Sequence, residues 1–346
     1  MKKVILIGGV GKPNEYVGGE LTKNKNILAA LKRLGRDVVV VDTHNARRKL
    51  WRLIPIPFVL LFNPKANVLL STHIGNVYWL IRLFSILKTK RSVVFIGTGG
   101  AFSQWIQEGK YKAKYFQFLR KIVVQGRKML KELNSVGLNQ GILLPNSKMI
   151  DYLPSLDVKS KKDETRFVFM SRMQEEKGIE MILGCVEKMN SLGYSNRFTV
   201  DFYGLFESED YKRIFLDRLG AYPNVKFNGA LNLRSNEGYD ELASYDVMLF
   251  PSWWKGEGFP GIVIDALIAG LPIIISDWNF NADYVVEGKT GFVIKNQDSD
   301  ALYNQMLDAI RNVAKYRSMS QGCQSMAMEY DSRRIMTEEL FSQLGI

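Results

Sequence analysis

Cysteine and histidine are scarce in this chain of 346 residues: Cys185 and Cys323 lie far apart with no CxxC spacing, and His44 and His73 are the two histidines. Neither a disulfide framework nor a thiolate or histidine-rich metal site has support, and a reducing compartment fits. Long apolar runs are missing as well. The run after the opening Met-Lys-Lys covers Val4 to Ile7 and stops at Gly8-Gly9, too short for a signal-peptide core, so it reads as a first β-strand. The segment LIPIPFVLLF (53–62) holds two prolines and NVYWLIRLF is interrupted by Arg82. No stretch approaches the about 20 residues that a spanning helix needs, and the chain is expected not to cross a membrane.

What is present is ordinary globular material, 46% hydrophobic and 24% charged, long enough for two domains that each bury a core. The net charge of +12 is unevenly divided. Residues 1–150 hold 26 Lys and Arg against 6 Asp and Glu, and the remainder holds 21 against 29. A basic partner surface therefore belongs to the first half, with nucleic acid and an anionic membrane face as candidates. Lysines that merely keep the protein soluble are the plain alternative.

Short β-rich runs recur at VILIGG, DVVVVD, NVLLS, SVVFI, KIVVQ and GILL, separated by stretches with helical spacing such as ELTKNKNILAALKRLG. Past the polar stretch DVKSKKDET the pattern restarts with RFVFM, FTVDFY, NVKFNG, YDVMLF, PIIIS and GFVI. The alternation predicts α/β architecture: two Rossmann-like domains with parallel sheets, facing each other across a cleft. The domains are expected at 1–150 and 163–330, joined by a linker near 147–165. A closing helix over about 331–346 is free to pack back on the first domain.

Ligands of such sheets bind beyond the carboxyl ends of strands, so motifs there carry the chemistry. After the first strand, GGVGKPNEYVGGELT fits a dinucleotide fingerprint badly, because a third glycine and an open helix start are needed near Asn14 and Pro13 intervenes, although Asp42 ends the second strand. A phosphate loop fails because Pro13 follows Gly11-Lys12. What remains is Gly18-Gly19 ahead of a helix, where bare amides can approach a phosphate or simply form a tight turn. In the second half, RFVFMSRMQEEKGIEMIL places Arg172 just after a strand and Lys177 at a helix start, a pair suited to a diphosphate. Solvated charges paired with Glu175 and Glu176 are the alternative. The stretch PSWWKGEGFPGIVIDALIAG reads as a loop, then a helix with Pro260 in its first position. Asp265 falls in the second turn of that apolar helix, and Glu257 in the loop before it. Each carboxylate could accept a diol of a hydroxyl-rich ligand. Otherwise Asp265 bonds backbone or a lysine, and Glu257 faces solvent.

The ordered set of Gly18-Gly19, VVQGRKML…ILLPN, SRMQEEKG, NVKFNGAL, YDVMLFPS, EGFPGIVIDALIAGLPIIIS and EGKTGFVI resembles the GT-B retaining glycosyltransferases of the family 4 type, glycosyl transferases group 1, over nearly the whole chain. The resemblance implies that Arg172 and Lys177 bind the donor diphosphate, that Glu257 contacts the donor sugar, and that Asp265 holds the ribose diol. It puts the amides of Gly258-Phe259-Pro260-Gly261 beside the phosphates and Gly229-Ala230-Leu231 near the base. Two departures stand out. Asp265 replaces the usual Glu, and Gly97-Thr98-Gly99-Gly100 stands where many relatives carry a His-Gly pair, leaving His73 as a loose substitute or, as a lone histidine at a strand end, a packed or capping residue.

The function implied is transfer of a sugar, with retention, from a UDP- or GDP-type nucleotide sugar to a glycan or lipid-linked acceptor, in bacterial surface polysaccharide synthesis (capsule, O-antigen or lipopolysaccharide). Glu257, Arg172 and Lys177 would carry catalysis. No cofactor and no metal are expected, since the one DxD, Asp298-Ser299-Asp300, reads as a helix cap. Nucleic acid is disfavoured for want of a reading motif. A cytoplasmic protein, peripheral on the inner membrane face through its basic first half, is the expected setting. Two alternatives stay open: a nucleotide-sugar epimerase on the same scaffold, and a non-catalytic sugar-nucleotide binder.

Overall fold

The computed structural model describes residues 3–12, 19–46, 48–158 and 164–346. Gly18, Pro13, Arg47 and the linker residues 159–163 lie outside the described residues. The chain forms two units, one of 1–149, 256–259 and 330–346, the other of 150–255 and 260–329.

The first unit holds a six-stranded parallel sheet of β1 (Val4–Gly8), β2 (Val38–Asp42), β3 (Asn67–Thr72), β4 (Val93–Gly97), β5 (Lys121–Val124) and β6 (Gly141–Leu143), in the order β2-β1-β3-β4-β5-β6. β1, β3 and β4 are buried along their whole length, as unbroken apolar runs in a parallel sheet must be. Ile27, Ala30 and Leu31 of the helix Gly19–Arg33 pack with Val4 and Leu6. Met336, Phe341 and Leu344 from the chain's end join that same core. The end of the chain is not one helix. It breaks into Ser332–Ile335 and Glu338–Leu344 because the Thr337 hydroxyl accepts from the Leu340 amide and starts a new helix. Arg33 donates to the Met336 carbonyl at 2.8 Å, and Asn67 Nδ2 to the Gly345 carbonyl at 3.0 Å.

The second unit's sheet contains β7 (Thr165–Met170), β8 (Phe198–Tyr203), β9 (Val225–Phe227), β10 (Val247–Phe250), β11 (Ile273–Ser276) and β12 (Gly291–Ile294), ordered β12-β11-β10-β7-β8-β9. Counted from the start of the unit this is the 3-2-1-4-5-6 order of the Rossmann fold, with its reversal between β7 and β10. The first sheet instead reverses between β1 and β3, in the flavodoxin-like manner. Chains leaving β7 and β10 diverge, so their carboxyl ends leave a crevice in the second unit.

Several short motifs take structural roles. Asp298 caps the helix Ser299–Arg311 by accepting from the Ala301 amide at 2.8 Å, and Asp300 pairs with Lys188 at 3.2 Å. Asp42, the residue that kept a dinucleotide site open, instead accepts from the Val10 and His44 amides, each at 2.9 Å, and from Arg52 at 3.0 Å. Burial works to raise its pKa, but these donors outweigh it and hold the carboxyl below its ordinary value.

Candidate functional site

The switch point of the second sheet gathers the two cations that the sequence singled out. β7 ends at Met170, and two residues later the Arg172 guanidinium lies 4.4 Å from the centre of the Trp254 ring. Lys177 is 3% exposed, and its ammonium stands 4.7 Å from that ring centre and 5.5 Å from that of Phe250. Both positive groups thus converge on one indole, in the loop that follows β10. Cation–π attraction offsets part of the desolvation that burial imposes on Lys177. Arg172 also pairs with Glu207 at 2.7 Å, not with Glu175 or Glu176, whose side chains are exposed. The Glu176 carbonyl accepts from the Trp253 amide at 2.8 Å and so ties the two loops together. The Trp278 indole donates to the Trp254 carbonyl at 2.8 Å.

Gly178 lets the loops come this close. Its φ is +83°, and a Cβ there would stand 2.4 Å from the Pro251 carbonyl oxygen. Gly178→Ala is accordingly expected to destabilise the protein by about 2 kcal/mol or more in urea titration, combining left-handed strain with a backbone clash.

Two helices start at this switch point, Ile179–Ser191 after Gly178 and Gly261–Ile268 after Pro260, and neither has a side-chain cap. Elsewhere in the unit Ser208, Ser235 and Asp298 cap their helices through their side chains, while Val313–Arg317 and Ser320–Ala327 also lack such a cap. The Ile179–Ser191 helix starts two residues after Lys177, so the positive end of its dipole adds to the charge that Arg172 and Lys177 gather, an arrangement suited to an anion. Pro260 precedes its helix as N-cap residue with φ −70° and ψ 120°; the helix begins one residue later than the sequence suggested.

Asp265 is 4% exposed on the Gly261–Ile268 helix, in a run with Val263, Ile264, Ala266 and Leu267, which are buried as well. The Tyr239 hydroxyl donates to Asp265 Oδ1 at 2.7 Å. Burial first, and then the Asp265 charge, raise the Tyr239 pKa well above its ordinary value, so the phenol stays protonated and keeps donating. Gly229 follows β9 with φ +75°, its carbonyl accepts from the Gly204 amide at 2.7 Å, and both Gly229 and Leu231 are half-buried.

The remaining predicted residues fall in the first unit. The segment Gly256–Phe259 groups with it, and Glu257 is 5% exposed, so its carboxylate does not face solvent. A Cβ on Gly258 would meet Gln125 Oε1 at 2.7 Å and the Gly100 amide nitrogen at 3.4 Å, which places the segment at the carboxyl ends of β4 and β5. Asn146 Nδ2 donates to the Phe259 carbonyl at 3.3 Å. Gly19 opens its helix in an exposed position, and next to it Glu20 already places a carboxylate, which accepts from the Thr72 hydroxyl at 2.9 Å and the Thr98 hydroxyl at 3.1 Å. His73 caps the helix Ile74–Ile86, accepting from the Gly75 amide at 3.1 Å, and lies edge-on to Trp105.

Sequence reading missed Trp254, Tyr239 and Glu207. The WW doublet just after a buried strand was the one available signal for Trp254; the other two act across long chain separations. Among the described residues no three His, Cys, Asp or Glu side chains gather as metal ligands.

Residues 156–326 match the family model for glycosyl transferases group 1. An uncharacterized 41.2 kDa protein in the cps region of Klebsiella pneumoniae is 19% identical over 253 residues, 68% of this chain and 66% of that protein. Glycogen synthase of Aquifex aeolicus is 25% identical over 176 residues, 47% of this chain and 35% of the synthase. The chain thus spans less than two thirds of the length of either curated relative. The crystal structure of Anabaena HepE in complex with UDP superposes with a TM-score of 0.72 at 14% identity, over 99% of this chain and 100% of that one, a likeness of fold.

Proposed function

We propose that this chain, which has the GT-B fold and whose residues 156–326 match the glycosyl transferases group 1 family, moves a sugar from a nucleoside diphosphate sugar to an acceptor, with retention of anomeric configuration. The observation that carries the reading is the convergence of Arg172 and Lys177 on Trp254 beside the uncapped start of the Ile179–Ser191 helix. A diphosphate matches that site in charge and in its demand for several donors. HepE, the fold relative, has been crystallised with UDP and with UDP-glucose, which supports a donor of that type.

In this reading the departing nucleoside diphosphate gains negative charge as the glycosidic bond breaks. Arg172, Lys177 and the amides of Gly261 and Ile262 stabilise it more in the transition state than in the ground state. Asp265, oriented by Tyr239, accepts from the ribose hydroxyls; Gly229 and Leu231 lie along the base; Glu257 holds the sugar ring as it becomes positive. The acceptor is a glycan or a lipid-linked sugar, and the cps-region relative supports a place in surface polysaccharide synthesis.

Incubation with UDP- and GDP-sugars and a glycan acceptor should yield a new glycoside of unchanged anomeric configuration and one nucleoside diphosphate per sugar transferred. Isomerised sugar and free nucleotide without acceptor would transfer the reading to an epimerase; donor binding with no turnover on any acceptor would leave a binder. Since side-chain cations and helix amides supply the positive charge, transfer should persist in EDTA. Loss of activity in EDTA that manganese restores would defeat that expectation.

A further inference from the structure

The sequence holds no Asp or Glu between Asp42 and Glu108, while Arg48, Lys49, Arg52, Lys65, Arg82, Lys88, Lys90 and Arg91 fall in that interval. Within the same interval the chain turns apolar side chains outward. In the helix Pro55–Phe62, Ile56 is buried and Val59 and Leu60 are half-buried, so its inward face uses the i, i+3, i+4 spacing. Ile54, Phe58, Leu61 and Phe62 occupy the opposite side and are exposed, Leu61 to 72% and Phe62 to 77%. Leu50 and Trp51 just before the helix are exposed as well. The segment is therefore a surface element with apolar residues on both faces, not the core segment its composition allowed.

A second stripe accompanies it. On the helix Ile74–Ile86, Trp79, Leu83 and Ile86 follow the i, i+4, i+7 spacing and are exposed, as is Leu87 after it. The connections β2 to β3 and β3 to β4 step in the same direction across the sheet, so right-handed crossovers put both helices on one face of it. The Arg91 guanidinium joins them by donating to the carbonyls of Leu60 and Asn63, each at 2.6 Å. Arg52 is engaged with Asp42 and anchors the start of the segment, whereas Arg48, Lys49, Lys65, Lys88 and Lys90 are exposed around the two stripes.

We propose that this face is a docking surface for an anionic bilayer, on which Trp51, Phe58, Leu61, Phe62 and Leu83 enter the boundary between headgroups and acyl chains while the surrounding lysines and Arg48 meet lipid phosphates. Single exposed hydrophobics need no partner, but two adjoining stripes rimmed by cations of one sign do. Charge complementarity selects the occupant: a basic rim on a stretch of chain without acids repels a second copy of itself and attracts phospholipid. The helix, eight residues long, is far too short to span, and no helix among the described residues is long and apolar enough to cross a membrane. The surface lies flat. The inference does not rest on the transfer reading, because none of these residues belongs to the nucleotide site.

The test is sedimentation of the full chain with sucrose-loaded vesicles. Wild type should partition to phosphatidylcholine vesicles carrying about 30 mol% phosphatidylglycerol about tenfold more strongly than to pure phosphatidylcholine at low salt. Phe58→Ser combined with Leu61→Ser and Phe62→Ser should lower the first value about tenfold. Lys65→Glu with Lys88→Glu should remove the preference for anionic lipid. Affinity for UDP and GDP by calorimetry should be unchanged in both variants, which checks folding and separates this surface from the donor site. Wild type that binds neither vesicle, or a triple serine variant that sediments as wild type does, would overturn the proposal. So would a lipid-free dimer that the serine changes dissolve, since the face would then serve self-association.

Discussion

Lys177→Ala is expected to weaken binding of a nucleoside diphosphate by about 1.5 to 3 kcal/mol, roughly tenfold to more than a hundredfold, the usual range for hydrogen bonds to charged groups. The buried ammonium has already been desolvated in the folded protein, and the rings of Trp254 and Phe250 hold it in place. A diphosphate therefore meets a pre-positioned charge and does not pay again to strip or order it. Arg172→Ala should have a smaller effect. Its guanidinium, paired with Glu207, is partly exposed, so solvent screens it more than it screens the buried ammonium. Glu207→Gln, by the same reasoning, should leave affinity unchanged or raise it. Because both cations stack on Trp254, the double variant should lose less than the two single losses added. Calorimetry with UDP, GDP and the matching monophosphates gives the decisive contrast. In Lys177→Ala the advantage of a diphosphate over a monophosphate should shrink. Unchanged affinity in both single variants would remove the diphosphate assignment.

The strands among the described residues could be read from the sequence because they are short runs rich in apolar residues, the central ones buried along their whole length as a parallel sheet demands. The order of those strands could not. Whether a chain leaving β1 returns on one side or the other depends on packing of the connecting helices, so the flavodoxin-like order of the first sheet carries no local signature. Asp265 was conspicuous because an acid in an apolar helix violates the local pattern. Its partner, Tyr239, was not, since it lies on a separate helix 26 positions away. Proximity misled in the case of Arg172: Glu175 and Glu176 are near in sequence but turn to solvent at a helix start, whereas Glu207 follows the neighbouring strand. The same limit applied to Leu53 to Phe62, where composition set the hydrophobicity of the segment but only tertiary packing decided which side faces out.

The amide variants of the two acids are expected to fail in different ways. Glu257→Gln should lower kcat by about 10²- to 10³-fold, in the range seen when one transition-state electrostatic contact is lost, and leave UDP binding nearly intact. In the proposed mechanism its contact is with the ring that turns positive, so the interaction strengthens only as the bond breaks. Asp265→Asn should instead raise the donor KM and weaken binding of the free nucleotide. In the wild type the Tyr239 phenol occupies Oδ1, which aims the carboxylate. Asparagine can keep that bond through its oxygen but presents an NH₂ group, a donor, where the ribose hydroxyls need an acceptor. Tyr239→Phe probes the aiming alone: a positioning role predicts a raised KM with kcat held, and only a small loss of thermal stability. Asp265→Glu is the sharper length test. Asp265 is 4% exposed, so a pocket built around the shorter acid should lose affinity on an added methylene. If Asp265→Asn binds UDP normally while Tm falls by several degrees, Asp265 and Tyr239 form an internal strut of the fold, and the ribose must be held elsewhere.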